Sequence, residues 1–370
     1  TVYDAENKEP LIGANVKVVN KNIGTLTDEK GQFSLETNQL NSIKISFVGY
    51  QTQTRISKYD EWLEIYLKPD LELEEVVIRA VRADENAPVT QTTIEKQELE
   101  RQFLGQDALF ALEDMTPSLI AYSESGTNFS NYGQMRLRGI DQTRINITLN
   151  GVPLNDMIDQ GVFFSNFIDF GNSVESVQVQ RGVGTSTNGT SSYAGSINFE
   201  SINLGNAEPS AEAQLMAGSF NTYRASGEVN SGLLNDKFAF YTRFTRMTSD
   251  GYRYNTSTDA WSFFFSGAYM GKKDLVKITG FTGTSRNGLA YSPVAISDIN
   301  LDPRTNYINE NDIDEFGQDL LQLQHTHWFN NGLSLVSTAY YGAAGGDFPF
   351  TFADTDRTLA QINYPPYNDH

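Results

Sequence analysis

Residues 174–201, VESVQVQRGVGTSTNGTSSYAGSINFES, hold two short β-prone segments separated by a stretch rich in Gly, Ser and Thr. Segments bounded in this way are typical of strands that a turn or loop connects. The glycine-rich part looks like a phosphate-binding loop, but no Lys follows its second Gly, so it does not match the Walker A pattern. We therefore predict two strands of a sheet here and no nucleotide site.

The residues before this stretch predict a small domain that mixes helices with short strands. TTIEKQELERQ, residues 92–102, begins with a capping-box pattern, Thr92 followed by Glu95, which is typical of a helix start. GQDALFALEDMTP, residues 105–117, predicts a second helix that ends near its Pro. Short strands and Gly-rich turns follow, in the segments GQMRLRGI and TRINITLNGVPLND.

The residues after 205 predict a series of antiparallel strands. These strands lie near 211–220, 223–233, 238–248, 260–270, 275–284, 318–329 and 333–342. Each is close to the roughly ten residues that a tilted membrane-spanning strand needs. The tight connections LLND, GKKD and NNG alternate with longer ones at 249–259, at 285–317 and after 342. This alternation is typical of outer-membrane β-barrels, whereas a soluble sandwich has no reason to segregate its loops by length.

The first 69 residues predict a small β-sandwich. LIGANVKVVN alternates from Ala14 to Val19, TDEKGQFSLE carries Gly31 at a hairpin turn, and EWLEIYLKP closes the pattern at Pro69. The chain opens in what we interpret as the middle of a strand and closes in a loop-like segment. We therefore expect it to be part of a longer protein.

Composition excludes several classes of function. The formal net charge of −19 on 370 residues argues against nucleic acid and against an anionic membrane surface as partners. The chain has no Cys, which excludes disulfide and thiol chemistry, and no run of about 18 apolar residues that would predict a transmembrane helix. Its 23 Phe and 18 Tyr suit the aromatic girdles of a membrane barrel, although a soluble β-sandwich also uses them.

Two parts of the chain resemble known families. PLIGANVKV, GTLTDEKGQFSL and ISFVGYQTQ resemble the carboxypeptidase regulatory-like domain, which implies a seven-stranded accessory module without catalytic residues. RLRGI, LNGVPLND, VESVQVQRG and YAGSINFES resemble, in order and spacing, the plug domain of TonB-dependent outer-membrane transporters. The three His residues lack zinc-motif spacing, so we expect no hydrolase, and the resemblance implies no enzyme and no cofactor.

The resemblance implies a mainly β protein in four parts. The parts are a β-sandwich accessory domain at 1–69, a TonB box and linker at 70–89, an α+β plug domain at 90–205, and the first strands of a large antiparallel transmembrane β-barrel at 206–370. Plugged barrels of the family have about 22 strands, so the barrel is expected to be incomplete here. We expect the outer membrane of a Gram-negative bacterium as the location, with the accessory domain and TonB box in the periplasm.

LELEEVVIRA, residues 71–80, is a short β-prone segment with acidic residues before it and a polar stretch after it. In the family a segment before the plug pairs with the periplasmic protein TonB. The resemblance assigns this role to Glu74, Glu75, Val76, Val77, Ile78, Arg79 and Ala80. Such pairing is β-augmentation, in which main-chain hydrogen bonds supply the affinity. The alternative is that 74–80 is only the last strand of the N-terminal sandwich.

The resemblance also implies a lock between plug and barrel. In the family the Arg of each RG motif pairs with glutamates of the barrel, and this role carries over to Arg138 and Arg181, with Arg136 singled out beside them. Buried charge pairs suit a removable plug, because each charge is costly alone and satisfied when paired. The alternative is that these three arginines are ordinary solvated charges of a sheet.

Two plug loops, 122–134 and 155–166, are expected to face outward and to contact the ligand, as such loops do in the family. The candidate contact residues are mostly aromatic: Tyr122, Phe129, Tyr132, Met157, Phe163 and Phe164. These side chains equally suit packing against the barrel wall. His325 and His327 share a strand face with Leu321 and Leu323, so we interpret them as interfacial residues on the lipid side rather than ligands of haem or metal.

The resemblance implies active import of a small, scarce nutrient, driven by the TonB energy-coupling complex, by a protein embedded in outer-membrane lipid. We favour an iron–siderophore, another metal chelate or a cobalamin-like ligand, because the plug ends in TNGTSSYAGSINF and lacks the LYGSRAANGVI signature of SusC-type importers. The alternative is a SusC-type glycan or peptide importer that works with a lipoprotein lid. A structural or adhesion protein is a rival of another class, but it leaves the plug motifs unexplained.

Overall fold

The computed structural model describes most of the chain. The described residues are 1–5, 8–19, 21, 23–35, 41–47, 50–57, 62–68, 82–83, 89–129, 132–158, 160–183, 192–205, 208–235, 237–271, 273–329 and 333–348. They form five sheets and a few short helices, which confirms the predicted mainly β fold. No helix within these ranges is long and apolar enough to cross a membrane.

The N-terminal part contains six strands within the described residues. They are β1 Val2–Asp4, β2 Asn15–Val18, β3 Gly24–Leu26, β4 Asn41–Phe47, β5 Tyr50–Ser57 and β6 Ile65–Leu67. One sheet has the order β3-β2-β4-β5, while β1 pairs in parallel with β6. Alternate residues of these strands, such as Val16, Ile43 and Ile65, are buried in one apolar core that both sheets share.

The predicted turn at Gly31 is present, but the hairpin predicted around it is wrong. Gly31 has a φ of +68°, a conformation that glycine adopts without steric cost. Its carbonyl accepts a hydrogen bond of 2.8 Å from the Val2 N–H, which ties the turn to β1. Residues 32–35 form no return strand, and residue 36, the last of the predicted hairpin, lies outside the described residues.

The middle part, residues 82–205, combines two sheets with short helices. Its strands are β7 Gln91–Glu95, β8 Leu119–Ser123, β9 Gly133–Leu137, β10 Ile140–Asp141, β11 Ile145–Leu149, β12 Val152–Pro153, β13 Val174–Arg181 and β14 Gly195–Ser201. One sheet has the order β12-β11-β14-β13-β7 and the other has the order β10-β9-β8. The helices are α1 Lys96–Gln102 and α2 Ala108–Met115, with 3-10 turns at Gln142–Arg144, Phe164–Phe167 and Phe170–Ser173.

The predicted capping box is also wrong. Thr92 and Glu95 belong to β7, which pairs with β13 along its whole length. Helix α1 begins only at Lys96, and its N-cap residue makes no side-chain cap hydrogen bond. Pairing along a five-residue strand outweighs a local cap, which is worth about 1 kcal/mol.

Two tight turns of the middle part explain the RLRG and LNG motifs. Arg138 and Gly139 have φ angles of +53° and +79°, and Asn150 and Gly151 have φ angles of +50° and +79°. Positive φ at both central residues is what a two-residue type I′ hairpin requires, and Asn-Gly meets the requirement at little cost. The first turn joins β9 to β10, and the second joins β11 to β12.

Residues 210–347 supply one antiparallel sheet of seven strands. The strands are β15 Ser210–Gly218, β16 Thr222–Asn230, β17 Phe238–Ser249, β18 Thr258–Met270, β19 Asp274–Gly288, β20 Ile313–Trp328 and β21 Ser334–Asp347. Each pairs with its neighbours in sequence, in the order β15 to β21. All seven predicted strands are present, but β19 and β20 are 15 and 16 residues long and extend well beyond the predicted ten.

The two ends of this sheet differ in their connections. At one end, which we call the tight-turn end, the connections are 231–237, 271–273 and 329–333. At the opposite end, the long-loop end, the connections are 250–257 and 289–312, and the second of these carries helix α3 Ile296–Leu301. The first hairpin departs from this pattern, because a turn of only 219–221 joins β15 to β16 at the long-loop end.

The two faces of the seven-stranded sheet differ in chemistry. On β20, Leu321 and Leu323 are 43% and 48% exposed, whereas Gln322 and Gln324 are 0% and 5% exposed. Successive side chains of a strand point to opposite faces, so the apolar set faces outward and the polar set faces the middle part. Apolar residues outside and polar residues inside are typical of the wall of a membrane barrel. The division predicted for this strand is confirmed.

Candidate functional site: the contact between the middle part and the seven-stranded sheet

The middle part packs against the inner face of the seven-stranded sheet through one continuous apolar core. Segment 164–170 supplies much of the contact. The ring centroids of Phe167 and Phe281 are 4.8 Å apart, and those of Phe170 and Phe264 are 6.5 Å apart. Aromatic pairs at such distances contribute about 0.5–1.5 kcal/mol each beyond the area that they bury.

One carboxylate lies among these aromatic rings. The Asp169 side chain is only 1% exposed, and its φ of +62° is a left-handed conformation that Asp tolerates better than most residues. From this position its carboxylate reaches two arginines of the sheet. Arg224 Nη1 donates to Oδ1 at 2.8 Å, and Arg243 Nε donates to Oδ2 at 2.7 Å.

Two further donors satisfy the Asp169 carboxylate. Thr245 Oγ1 donates to Oδ2 at 2.7 Å, and Asn172 Nδ2 donates to Oδ1 at 2.6 Å. Each carboxylate oxygen therefore has one donor from an arginine and one from a neutral side chain. A buried ion is tolerated only when its hydrogen-bonding capacity is met in this way.

Each arginine also has a second partner, which is a carboxylate of the sheet for Arg243 and a backbone carbonyl for Arg224. Arg243 Nη1 donates to Glu228 Oε2 at 2.5 Å, and Arg224 Nη2 donates to the Leu104 carbonyl of the middle part at 3.2 Å. Two cations and two anions make the group formally neutral. We call Asp169, Arg224, Arg243 and Glu228 the buried charge cluster.

Gly105 allows the middle part to approach this cluster. A Cβ atom added at Gly105 would lie 2.3 Å from Arg224 Nε, and the φ of Gly105 is +101°. Both the close approach and the positive φ require glycine. A larger residue would displace the Arg224 guanidinium from Asp169.

A second polar contact joins the Asn-Gly turn to β20. Gln322 Nε2 donates to the Leu149 carbonyl at 3.0 Å, and Gln324 Nε2 donates to the Asn150 carbonyl at 3.1 Å. Asn150 is fully buried, and its side chain makes two hydrogen bonds to Ser201. The sequence analysis placed Leu321 and Leu323 on the lipid side, which by alternation leaves the two glutamines on the inner face, but it missed Asn150. The Asn-Gly pair between two β-prone segments was the available signal.

At the long-loop end, both long loops of the sheet touch the middle part. Arg253 Nη1 donates to the Glu124 carbonyl at 3.2 Å and to the Ala290 carbonyl at 3.0 Å, and the Arg253 N–H donates to the Ser125 carbonyl at 3.1 Å. Burial raises the pKa of Glu124 above its ordinary value of 4.5, while an Ala290 backbone hydrogen bond and the Arg253 charge act in the opposite direction. One arginine thus holds the end of β8 and both loops together.

Five of the six candidate ligand residues, all except Phe164, keep some exposed surface. Tyr122 and Met157 are 45% and 92% exposed. Tyr132 and Phe163 are half-buried and form an edge-to-face pair whose ring centroids are 5.5 Å apart. The Tyr132 hydroxyl also hydrogen-bonds the Asp314 carboxylate at the start of β20.

Phe129 and Phe164 also make packing contacts. Phe129 is half-buried and lies against the cluster of Met247 and Ala260, which are buried residues of β17 and β18. Phe164 is 2% exposed, and its ring centroid is 6.0 Å from that of Phe199. Phe164 offers no free face to a ligand in this conformation, and both residues make the packing contacts that the sequence analysis left open. Ligand contact by all six residues stays a prediction.

The three predicted lock arginines lie away from the buried charge cluster. Arg136 and Arg138 are exposed, and Arg181, which is half-buried, donates to the Pro117 carbonyl at 3.3 Å. None of the three forms an ion pair with another described residue. The ion pairs that do cross this contact have the opposite polarity, because the acid belongs to the middle part and the arginines belong to the sheet. The predicted role of the three arginines stays a prediction.

The predicted TonB-pairing segment, 74–80, lies outside the described residues. Arg82 and Ala83, which follow it closely, are anchored to the middle part. Arg82 Nη1 lies 3.3 Å from Glu200 Oε2, and both side chains are largely buried. The Ala83 N–H donates to Gln178 Oε1 at 2.8 Å, and Gln178 Nε2 donates to the Ala83 carbonyl at 3.1 Å. The sequence analysis had placed both residues in a flexible linker.

Comparison with known proteins assigns two of these parts to families. Residues 1–78 match the CarboxypepD_reg-like domain, and residues 83–196 match the TonB-dependent Receptor Plug Domain. A stretch of 71 residues is 44% identical to the TonB-dependent receptor SusC of Bacteroides thetaiotaomicron, and it covers 19% of this chain and 7% of that receptor.

Solved receptor structures share the fold. The closed form of the ferric-catecholate import receptor Fiu from E. coli K12 aligns with a TM-score of 0.59 at 19% identity, over 74% of this chain and 39% of Fiu. The ferric yersiniabactin uptake receptor FyuA from Yersinia pestis aligns with a TM-score of 0.55 at 16% identity, over 71% of this chain and 42% of FyuA. The chain thus spans about two-fifths of the length of these receptors.

A domain of mixed helices and strands, packed on the polar face of a meander of membrane-type strands, is the fold that this chain shares with these receptors. Residues 1–78 are thus a CarboxypepD_reg-like domain, and residues 83–196 are a plug domain of the TonB-dependent receptor family. The members of this family are receptors and transporters rather than enzymes. We refer below to the middle part as the plug and to the seven-stranded sheet as the wall.

Proposed function

We propose that the protein imports a small, scarce nutrient across the outer membrane with energy supplied through TonB. The observation that supports this most directly is the chemistry of the plug–wall contact. The buried charge cluster and the contacts of Gln322 and Gln324 are polar, so water can satisfy these groups when the plug moves away. An entirely apolar seal would expose its whole area to water on opening. The contact also contains the apolar core around segment 164–170, so the polar groups lower the cost of opening without removing it.

In this proposal the force enters through residues 74–80. An extended segment pairs with an added strand through main-chain hydrogen bonds, as β-augmentation requires. The next anchored residue is Arg82, which binds Ser176 of β13 and Glu200 of β14. A pull on 74–80 would thus reach the plug sheet at Arg82. Beyond it lies β7, the edge strand of that sheet, which has β13 as its only partner strand among the described residues.

The ligand class that we favour is an iron–siderophore, another metal chelate or a cobalamin-like molecule. Tyr122, Tyr132 and Phe163 present aromatic surface beside polar groups, a combination that suits a planar or chelate ligand. Fiu and FyuA, which share the fold, are receptors for ferric catecholates and ferric yersiniabactin. The plug also lacks the LYGSRAANGVI signature of SusC-type importers.

A glycan or peptide importer that works with a lipoprotein lid is the second candidate. The identity of 44% to SusC over 71 residues favours it. That stretch is only 19% of this chain. It therefore indicates common ancestry of one region more strongly than it indicates a common ligand. Uptake of two labelled probes would separate the candidates: a ⁵⁵Fe-loaded catecholate siderophore and a labelled oligosaccharide.

The proposal is tested by uptake in cells that express the full-length protein. Val77→Pro removes a main-chain donor from the predicted pairing strand, whereas Val77→Thr retains it and keeps a β-branched side chain. We expect Val77→Pro to bind the probe at the cell surface like the wild type but to lose energised uptake, and Val77→Thr to retain both. Uptake by Val77→Pro at the wild-type rate would overturn the proposed coupling to TonB.

A further inference from the structure

Three side chains with metal-binding atoms meet on the outer face of the wall, at its tight-turn end. Asp274 begins β19, His325 and His327 lie near the end of β20, and Asp274 is directly opposite His327 in the strand pairing. His325 is two residues away and therefore on the same face. One donor atom from each of the three residues lies within 4.8 Å of the other two.

Hydrogen bonds already hold these groups together. Asp274 Oδ1 lies 2.9 Å from His325 Nε2 and 2.7 Å from His327 Nδ1. The ring of Phe329 packs edge-on against His327, with centroids 4.5 Å apart, and helps to fix its orientation. The side chains of Asp274, His325 and His327 are 41%, 46% and 31% exposed, so an ion has access from outside.

We propose that Asp274, His325 and His327 form a binding site for a divalent transition-metal ion of the zinc class. Imidazole nitrogen and carboxylate oxygen bind Zn²⁺ at about 2.0–2.2 Å, and three protein ligands leave at least one position for water or an external anion. Two nitrogen donors also disfavour Mg²⁺ and Ca²⁺, which take oxygen ligands. The donor atoms need to separate only slightly for an ion to sit between them.

Metal binding at this site needs only a shift of protons on the two histidines and no other reactant. In the hydrogen-bonded arrangement each neutral imidazole donates its N–H to the Asp274 carboxylate. When the ion enters, the proton of each ring moves through solvent to its other nitrogen, Nδ1 of His325 and Nε2 of His327. The freed lone pairs then bind the ion, and one carboxylate offsets part of its charge.

This site is separate from the path of the nutrient, because it lies on the opposite face of the wall from the plug. Its ligands come from two adjacent strands, so a bound ion would cross-link β19 to β20 beside the 271–273 and 329–333 turns. An ion that binds only the folded wall stabilises it by mass action. A bound ion would therefore affect the stability of the wall, whether or not the protein imports a nutrient.

The test uses the full-length protein, purified in detergent without a polyhistidine tag and treated with chelator, then titrated with Zn²⁺ alone. We expect one Zn²⁺ per chain. His325→Gln and His327→Gln should each weaken binding by more than the roughly 10–100-fold that loss of an outer-sphere partner costs. The matched control is His370→Gln, which removes the only other histidine of the sequence and should leave binding unchanged.

A second measurement counts the ligands and does not depend on affinity. In the electron paramagnetic resonance spectrum of the Cu²⁺ complex we expect couplings from two imidazole nitrogens in the wild type and in Asp274→Asn, and from one in each single His variant. Unfolding without metal, compared between wild type and variants, reports any loss of fold. No bound Zn²⁺ in the wild type, or equal binding by His325→Gln, would overturn the proposal.

Discussion

At the scale of single residues, Asp169 is the point at which the plug and the wall depend most on each other. It is the one member of the buried charge cluster that belongs to the plug, and it neutralises arginines from two neighbouring strands, β16 and β17. The sequence offered a signal, since FSNFIDFGN places one acid among four aromatic or apolar neighbours. The partner arginines could not be predicted, because nothing in their local sequence shows what they face across the contact.

We predict that Asp169→Asn loosens the plug from the wall. The substitution leaves the buried Arg243 with Glu228 alone and removes the ion pair that Arg224 makes among the described residues, and breaking a buried pair costs about 3–5 kcal/mol. The measurement is the free energy of local opening for 164–173, from hydrogen exchange of the membrane-embedded protein.

Asp259→Asn is the matched control for this prediction. Asp259 pairs with Arg246 at the surface of the wall, where both side chains are about half exposed, and such pairs are worth about 0–1 kcal/mol. Equal effects of the two substitutions on the opening of 164–173 would contradict the role given to the buried charge cluster.

The pKa of Glu124 predicts a pH dependence at the long-loop end. Burial raises this pKa above its ordinary value of 4.5. A carboxyl whose pKa is raised by folding contributes stability that is complete below 4.5 and is lost as the pH rises through the raised pKa. The free energy of opening of loop 250–257, measured by hydrogen exchange, should therefore decrease over this interval in the wild type. In Glu124→Gln this free energy of opening should not change with pH. An increase with pH in the wild type would contradict the raised pKa of Glu124.

At the scale of elements, the turn 219–221 is unusual because it places a bulky residue in a left-handed conformation. Phe220 has a φ of +59°, which costs on the order of 1–3 kcal/mol for a residue other than glycine. Its ring contacts Tyr252 at a centroid distance of 5.4 Å and lies under the Arg304 guanidinium at 5.5 Å. These contacts from the two long loops offset the strain.

We predict that Phe220→Gly keeps the β15–β16 hairpin intact and releases the loops. Relief of the left-handed conformation should preserve hydrogen-exchange protection in β15 and β16, while protection of 250–257 and 289–312 should decrease. Asn235→Gly is the control, because Asn235 is also left-handed, with a φ of +51°, but lies at the tight-turn end. Loops that stay protected in Phe220→Gly would show that this ring does not hold them.

Helices and strands were predicted well where the periodicity of the local sequence determines them. They were predicted poorly where pairing with a distant strand determines them. The seven wall strands follow from alternation and turn signals. Their full lengths do not, because β19 and β20 extend as far as their mutual pairing continues, from Asp274–His327 to Gly288–Ile313. Thr92 to Glu95 carries a helix-start pattern, yet it forms a strand because β13 offers a partner. Local sequence does not contain that partner.

At the scale of the whole molecule, the fold class and the plug motifs were predictable from the sequence, whereas the residues of the buried charge cluster were not. The motifs RLRG and LNG identify turns whose φ requirements are local. The buried charge cluster instead brings together residues of the plug and of two wall strands, more than fifty positions apart. Which side supplies the acid and which side supplies the arginines is evident only when the plug and the wall are packed together. The outer-face group of Asp274, His325 and His327 was missed for the same reason, since the histidines were seen without their cross-strand acid.

We propose that residues 74–80 pair with TonB as an added strand, and because these 370 residues contain no Cys, single cysteines introduced here would report the pairing directly. Single cysteines would be introduced across 74–80 of the full-length protein in its outer membrane, and cross-linked to a single cysteine in the pairing strand of TonB. Leu26→Cys, which is 63% exposed in the N-terminal sandwich, is the background control. Because successive side chains of a strand alternate in direction, we predict strong cross-linking at every second position. Cross-linking no stronger than that of Leu26→Cys at all seven positions would contradict the account.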